Sequence, residues 1–179
     1  MRKMVVRLEH LLAKTRLGVA IYSRPYRRVI EREVALVNIR PTDTVYHVGC
    51  GAVPFTALLI AELTQARVIA VDNDARAVRQ AKRVVAKEKL EHLIEVRQHD
   101  GTELLDAPYT VAILALQTRP LDRVMDALDF RRARVLVREP SERYKNHYDK
   151  LPSGLVVISQ AHHGMKAFAS TAHVTTRQL

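Results

Sequence analysis

"VYHVGCGAVPF", residues 45–55, decides how this chain folds. An apolar run stops at Gly49-Cys50-Gly51, and a helical pattern opens at Pro54. A strand that ends in a glycine pair and leads into a helix reads as the first βα turn of a nucleotide-binding sheet. Glycine lets the backbone turn tightly and approach a ligand with no Cβ in the way. The helix N-terminus offers N–H groups to a negative ligand group. The spacing is not Gly-x-Gly-x-x-Gly, because the sixth position is Pro54. The third residue of the run is His47, where many loops of this shape carry an acid.

Outward from this loop the texture alternates. Strands are predicted over 44–48, 67–71, 93–98, 110–116 and 133–139. Helices are predicted over 54–63, 74–90 and 120–130, with a short one over 141–150. Ala77, Ala81, Val84 and Val85 should share the buried face of the helix over 74–90. Such alternation implies right-handed crossovers and a mostly parallel sheet. The end differs: "LVVISQAHH" and "KAFASTAHVTT" are strand-like runs joined by "HGMK". So short a link makes only an antiparallel hairpin. The expected fold is therefore α/β: a Rossmann-like, doubly wound, seven-stranded sheet, mostly parallel, with a terminal antiparallel hairpin. Residues 1–40 read as an N-terminal helical cap on a domain spanning 41–179. In the cap, 4–16 is predicted as one helix, "GVAIYSRPY" as an interruption, and Pro25 as the first turn of a second helix that stops before Pro41.

Three strand ends carry the candidate site. The first supplies the Gly49–Gly51 loop. The second ends at Asp72, 23 positions after Gly49 and near the ~20 expected for a carboxylate on a ribose diol. The third runs into Asp100, whose carboxylate suits an adenine amino group. Both acids also favour turns, the competing structural use.

This constellation resembles the class I S-adenosylmethionine-dependent methyltransferases over roughly residues 42–179, terminal hairpin included. The resemblance implies S-adenosyl-L-methionine as cofactor. It implies a cofactor-binding set of Gly49, Cys50, Gly51, Asp72, Asn73, Asp100, Gly101 and Leu114. His47 departs from the acid usual in that family, and "LALQTRP" lacks an Asn-Pro-Pro-aromatic motif. A narrower branch, the nicotianamine synthase-like enzymes, looks similar through "VGCGAVPFT" with its Pro54 and Thr56, through "LALQTRPLDRV", and through "VLVRE" with Arg138. That branch transfers aminocarboxypropyl instead of methyl. By this resemblance Tyr26 and Glu33 are the candidate catalytic residues. By proximity to strand ends, His99 and Glu139 are further candidate bases. The competing use of Glu33 is an ion pair with Arg28, Arg32 or another surface base.

Composition bounds the rest. The 179 residues include 47% hydrophobic and no Trp, a globular balance. Cys50 is the only cysteine, so no intrachain disulfide forms, and its expected use is packing within the loop. The basic N-terminus lacks the apolar core and cleavage site of a signal peptide. No apolar run reaches the length of a membrane span. A cytoplasmic location is expected. His162 and His163 are adjacent, point to opposite faces and are expected at a hairpin surface, so no metal site is predicted. Net charge is +10, and residues 1–33 hold nine basic against three acidic side chains. This fits either a solvated helical surface or a polyanion site.

Methyl transfer is the favoured function. Aminocarboxypropyl transfer to a small amine or amino acid is the alternative, and a basic RNA-binding module that retains the loop is a further one. The acceptor is a small molecule or RNA, and a homodimer is possible.

Overall fold

The computed structural model describes residues 16–176, with side chains from Tyr26 onward. The helix expected over 4–16 falls, up to residue 15, outside the described residues. Helix α1 runs from Arg16 to Val37 without a break. This corrects the expected interruption before Pro25. A proline inside a helix forfeits one backbone hydrogen bond, a cost of about 3 kcal/mol. The turns after it bury Val29, Ile30, Glu33 and Val37, and helices in proteins owe most of their stability to such packing. The helix closes at Asn38, with φ 51°, as Ile39 N–H donates to the Val34 carbonyl at 3.0 Å.

The strands are β1 (Thr44–Val48), β2 (Arg67–Asp72), β3 (Ile94–Gln98), β4 (Val111–Leu114), β5 (Arg134–Pro140), β6 (Leu155–His162) and β7 (Phe168–Thr176). Between them lie α2 (Phe55–Thr64), α3 (Ala75–Glu88), α4 (Leu121–Asp126) and a 3₁₀ turn, Glu142–His147. One sheet contains all seven strands in the order β3-β2-β1-β4-β5-β7-β6. The first five are parallel, and β7 pairs antiparallel with both β5 and β6. The expected fold is borne out. Strand order reverses beside β1, so the loop after it opens at the switch point where ligands bind in such sheets.

Each strand splits its side chains between two cores. Val45, Val68, Ala70, Val111, Ile113 and Leu136 face α1, α2 and α3. Tyr46, Ile69, Ala112, Leu114, Val135 and Val137 face α4. In α3 the buried stripe is Val78, Ala81, Val84 and Val85, with Val78 in place of the expected Ala77. Helix α4 is shorter than expected. Asp129 accepts from Arg131 N–H at 3.0 Å through its side chain and from Ala133 N–H at 3.0 Å through its carbonyl, a local turn that competes with helix.

Candidate functional site

The loop after β1 is held by main-chain geometry. Gly49 and Gly51 have φ of 81° and 67°, a left-handed region costly to any residue with a Cβ. The N–H groups of Gly49 and Cys50 both donate to the Val71 carbonyl at 2.9 Å, tying the loop to β2. A Cβ on Gly49 would press on Ala115 Cβ at 3.2 Å and Thr118 Oγ1 at 3.3 Å, whereas a Cβ on Gly51 would meet nothing within 4 Å. Open space therefore lies over Gly51, where a ligand can rest on bare backbone.

Asp72 closes one side of that space. Its Oδ2 accepts from Gly51 N–H at 2.8 Å and its Oδ1 from Asp74 N–H at 3.0 Å. Each carboxylate oxygen has a second lone pair, so the group still has capacity for two hydroxyl donors. Asn73 is exposed beside it, and its carbonyl accepts from Gln98 Nε2 at 3.4 Å. Asp100 is exposed at the next strand end. Thr102 donates to its Oδ1 through both N–H (2.9 Å) and Oγ1 (2.8 Å), and the backbone bond leads in holding its pKa below the usual carboxylate value. These residues fit a nucleoside laid across the strand ends.

Other candidates sit differently. Gly101 packs so closely that a Cβ would lie 2.6 Å from Val48 Cγ1, so it holds the β3 loop against β1. Leu114 is fully buried with its side chain in the α4-side core, which leaves only its main chain toward a ligand. Cys50 is buried, and burial first, then the nearby Asp72 charge, push its thiol up to about 12. A thiol so protonated is a packing group, as its sequence context suggested. His99 Nε2 lies 3.2 Å from the Glu103 carbonyl, and Glu139 accepts from Ser170 Oγ at 2.9 Å.

On the α1 side of the strand ends lies a buried polar cluster. Arg138 grips Glu33 with two parallel bonds, Nε to Oε1 and Nη2 to Oε2, each 2.8 Å. Nη2 also donates to Thr56 Oγ1 at 3.0 Å. Thr171 Oγ1 donates to Glu33 Oε1 at 2.7 Å and lies 2.9 Å from His163 Nε2. Glu33 is 0% exposed, so its partner is this interior arginine and not Arg28 or Arg32. His163 is likewise buried, a correction to its expected surface role. Burial opposes the charge of Arg138, but Glu33 outweighs it and the guanidinium pKa rises. Tyr26 stacks on Phe55, ring centroids 5.9 Å apart, within electrostatic reach of Arg138. The structure thus brings Tyr26, Glu33, Thr56 and Arg138 together. The parts played by Thr171 and His163 had no local sequence signal, because β7 reaches β5 only through the terminal hairpin.

His47 projects from β1 toward the same face. It is 2% exposed, and neither ring nitrogen has a partner among the described residues. Burial first, then the Arg138 charge, lower its pKa to about 3, so the ring is neutral. The acid usual at this strand position is absent, and the carboxylate on this face comes from α1 as Glu33.

A cavity of about 200 Å³ opens where β5 ends, lined by Leu121, Val137, Arg138, Glu139, Lys150 and Leu151 among others. Among the described residues no group of three metal-ligating side chains exists, and no helix is long and apolar enough to cross a membrane.

Residues 33–115 match the family model described as methyltransferase small domain. A structure of the nicotianamine synthase MtNAS, a variant in complex with S-adenosylmethionine, superposes with TM-score 0.84 at 16% identity, covering 97% of this chain and 74% of that one. This is the class I methyltransferase fold. An RNA methyltransferase from Salinibacter ruber in complex with S-adenosyl-L-homocysteine shares it with TM-score 0.65 at 19% identity, covering 85% of this chain and 93% of that one. So does magnesium protoporphyrin IX methyltransferase from Synechocystis PCC 6803 with bound SAM, with TM-score 0.62 at 18% identity, covering 85% and 80%. A search of curated proteins gives no match.

Proposed function

We propose that this chain is an S-adenosylmethionine-dependent transferase, with methyl as the favoured group. One observation carries the reading: the Asp72 carboxylate is locked by backbone N–H groups beside the open space over Gly51. The methyltransferase small domain match over 33–115 supports it. Asp72 and Asn73 would hold the ribose edge, Asp100 and Gly101 would border the adenine, and Gly49, Cys50, Gly51 and the Leu114 main chain would underlie the tail. The cofactor supplies an electrophilic carbon on a sulfonium. When bound, it would offer that carbon to an acceptor lone pair, with sulfur leaving on the bond's electron pair and any spare acceptor proton going to a base or to water. The chain's own work is to position the two partners. Glu33 spends both oxygens on Arg138 and Thr171, so in this geometry it is a positioning residue that aims Arg138. Tyr26 borders the same wall. In the proposed cap over residues 1–40, the described part, α1, packs on the cofactor domain read over 41–179, and the enzyme acts in the cytoplasm on RNA or a small molecule.

Aminocarboxypropyl transfer stands as the second reading. It is favoured by the 97% coverage of this chain in the MtNAS comparison, which takes in α1 and its Glu33–Arg138 pair. Product analysis separates the two: methyl transfer leaves S-adenosylhomocysteine, and the alternative leaves methylthioadenosine. The cofactor reading is tested by titration calorimetry with S-adenosylhomocysteine. The parent should bind, and Asp72→Ala should bind about 10- to 100-fold more weakly, as expected for hydrogen bonds to a charged group. Equal affinity of parent and variant would refute the proposed site.

A further inference from the structure

We propose that the face around the β5 end is a docking surface for single-stranded nucleic acid, which delivers one base to the cavity beside Arg138. The inference rests on the transferase reading for its purpose, but its observations are separate. The segment that leaves β5, "SERYKNHYDK", interleaves cations with aromatic rings. Arg143 lies over the Tyr144 ring at 5.7 Å, and Arg119 lies over the Tyr148 ring at 5.8 Å. Arg119 is further held by Asp149 at 3.5 Å and by a bond to the His147 carbonyl. Arg119 is half exposed, at 52%, so its guanidinium still meets solvent. Unstacked bases are bound by such planes and by aromatic rings.

Charge on this face favours a polyanion. Each of its acids has a partner: Glu142, itself exposed, pairs with Lys145 at 2.7 Å, Asp149 with Arg119 and Leu121 N–H, and Glu139 with Gln160 and Ser170. Lys150 and Lys166 are exposed and have no ion pair among the described residues. Lys166 joins the face because its carbonyl accepts from Ser141 Oγ at 2.9 Å. The whole chain carries +10, which draws a polyanion from a distance.

Size and position complete the argument. The cavity, about 200 Å³, is smaller than the roughly 300 Å³ at which pockets for drug-sized ligands begin. It has room for one ring system with polar edges facing Glu139 and cations at its rim. Arg119 links this face to the loop after β1: its neighbour Thr118 sits 3.3 Å from where a Gly49 Cβ would stand and donates to the Val48 carbonyl, while Arg119 itself pairs with Asp149 of the cavity lining. The other basic region, beside α3, adjoins a larger cavity of about 800 Å³, but no Tyr, Phe or Trp lines it, and its Arg67 and Arg97 are paired with Glu95.

The test is fluorescence anisotropy of the full chain with labelled mixed-sequence oligomers of about 12 nucleotides, within the range one site of this kind covers. RNA, DNA and duplex forms are compared at low and raised salt. A single-stranded oligomer should bind in preference to duplex, with affinity falling as salt rises. The RNA and DNA arms identify which backbone is accepted. Tyr144→Ser with Lys150→Glu should weaken binding about tenfold, the loss of a stacked base and a phosphate contact. Lys150→Glu alone, at an exposed position, guards against a folding defect. Arg79→Glu with Arg83→Glu should weaken binding far less. The proposal is overturned if no single strand binds at low salt, if duplex is preferred, or if only the α3 variant loses affinity. Calorimetry with S-adenosylhomocysteine on the same samples separates the two readings. Heat of cofactor binding without oligomer binding removes the docking surface alone, and absent heat removes the transferase reading instead.

Discussion

His47 stands at an acid's usual position as a neutral, sealed imidazole. The folded chain keeps it unprotonated down to about pH 3, while the unfolded chain takes up a proton near 6.5. Below pH 6.5 the unfolded state therefore binds more protons, and stability falls as pH drops from 6.5 toward 3. His47→Leu removes that contribution. Between pH 7.5 and 5, urea unfolding should show the parent losing about 2 kcal/mol more than the variant. Equal losses would mean that the ring is protonated in place. The departure from an acid was legible in residues 45–55, but the neutrality was not. It depends first on burial and then on the charge of Arg138, which arrives from β5. The same holds for Asp72. Its distance from Gly49 pointed to a ribose role, yet its grip by Gly51 and Asp74 N–H groups needed the folded loop.

Helix α1 is fastened to the far side of the sheet by one ion pair. Glu33 reaches Arg138 on β5 and Thr171 on β7, while Arg32 donates to the His162 carbonyl on β6. Removing one member of a buried pair leaves the other charge uncompensated, at about 3–5 kcal/mol. Arg138→Met should cost that much in a denaturant melt, and Arg138→Met with Glu33→Met should recover most of it. A double variant as unstable as the single one would show that Thr56 and Thr171, and not charge, set the cost. Strands and most helices were readable because alternation and helical period are local signals. The unbroken path of α1 through Pro25 was not, since packing of Val29, Ile30 and Val37 overrides a local breaker. Nor was the choice of Arg138 over Arg28 or Arg32 as partner, because residues in sequence give no depth.

Across the whole molecule, two cores share one sheet, and the loop at its centre touches both. Val48 lies in the α4-side core, and Phe55 lies in the α1-side core. A ligand on that loop should therefore stabilise the fold as one unit. S-adenosylhomocysteine at about 100 times its dissociation constant should add about 2.7 kcal/mol, raising a single thermal transition by several degrees. Two transitions, only one of them ligand-sensitive, would show that the cores melt separately. The sheet order was legible only as a class: mostly parallel with a closing hairpin. The convergence of β5 and β7 on Glu33 belongs to tertiary structure.

Cys50 is the chain's sole sulfhydryl, buried within the loop after β1 and held protonated at neutral pH. Iodoacetamide can modify it only in those moments when the loop lifts and water enters. Alkylation of the native protein is therefore a clock for that opening, with no competing site to confuse the count. A nucleoside lying over Gly51 should slow the clock in proportion to its occupancy.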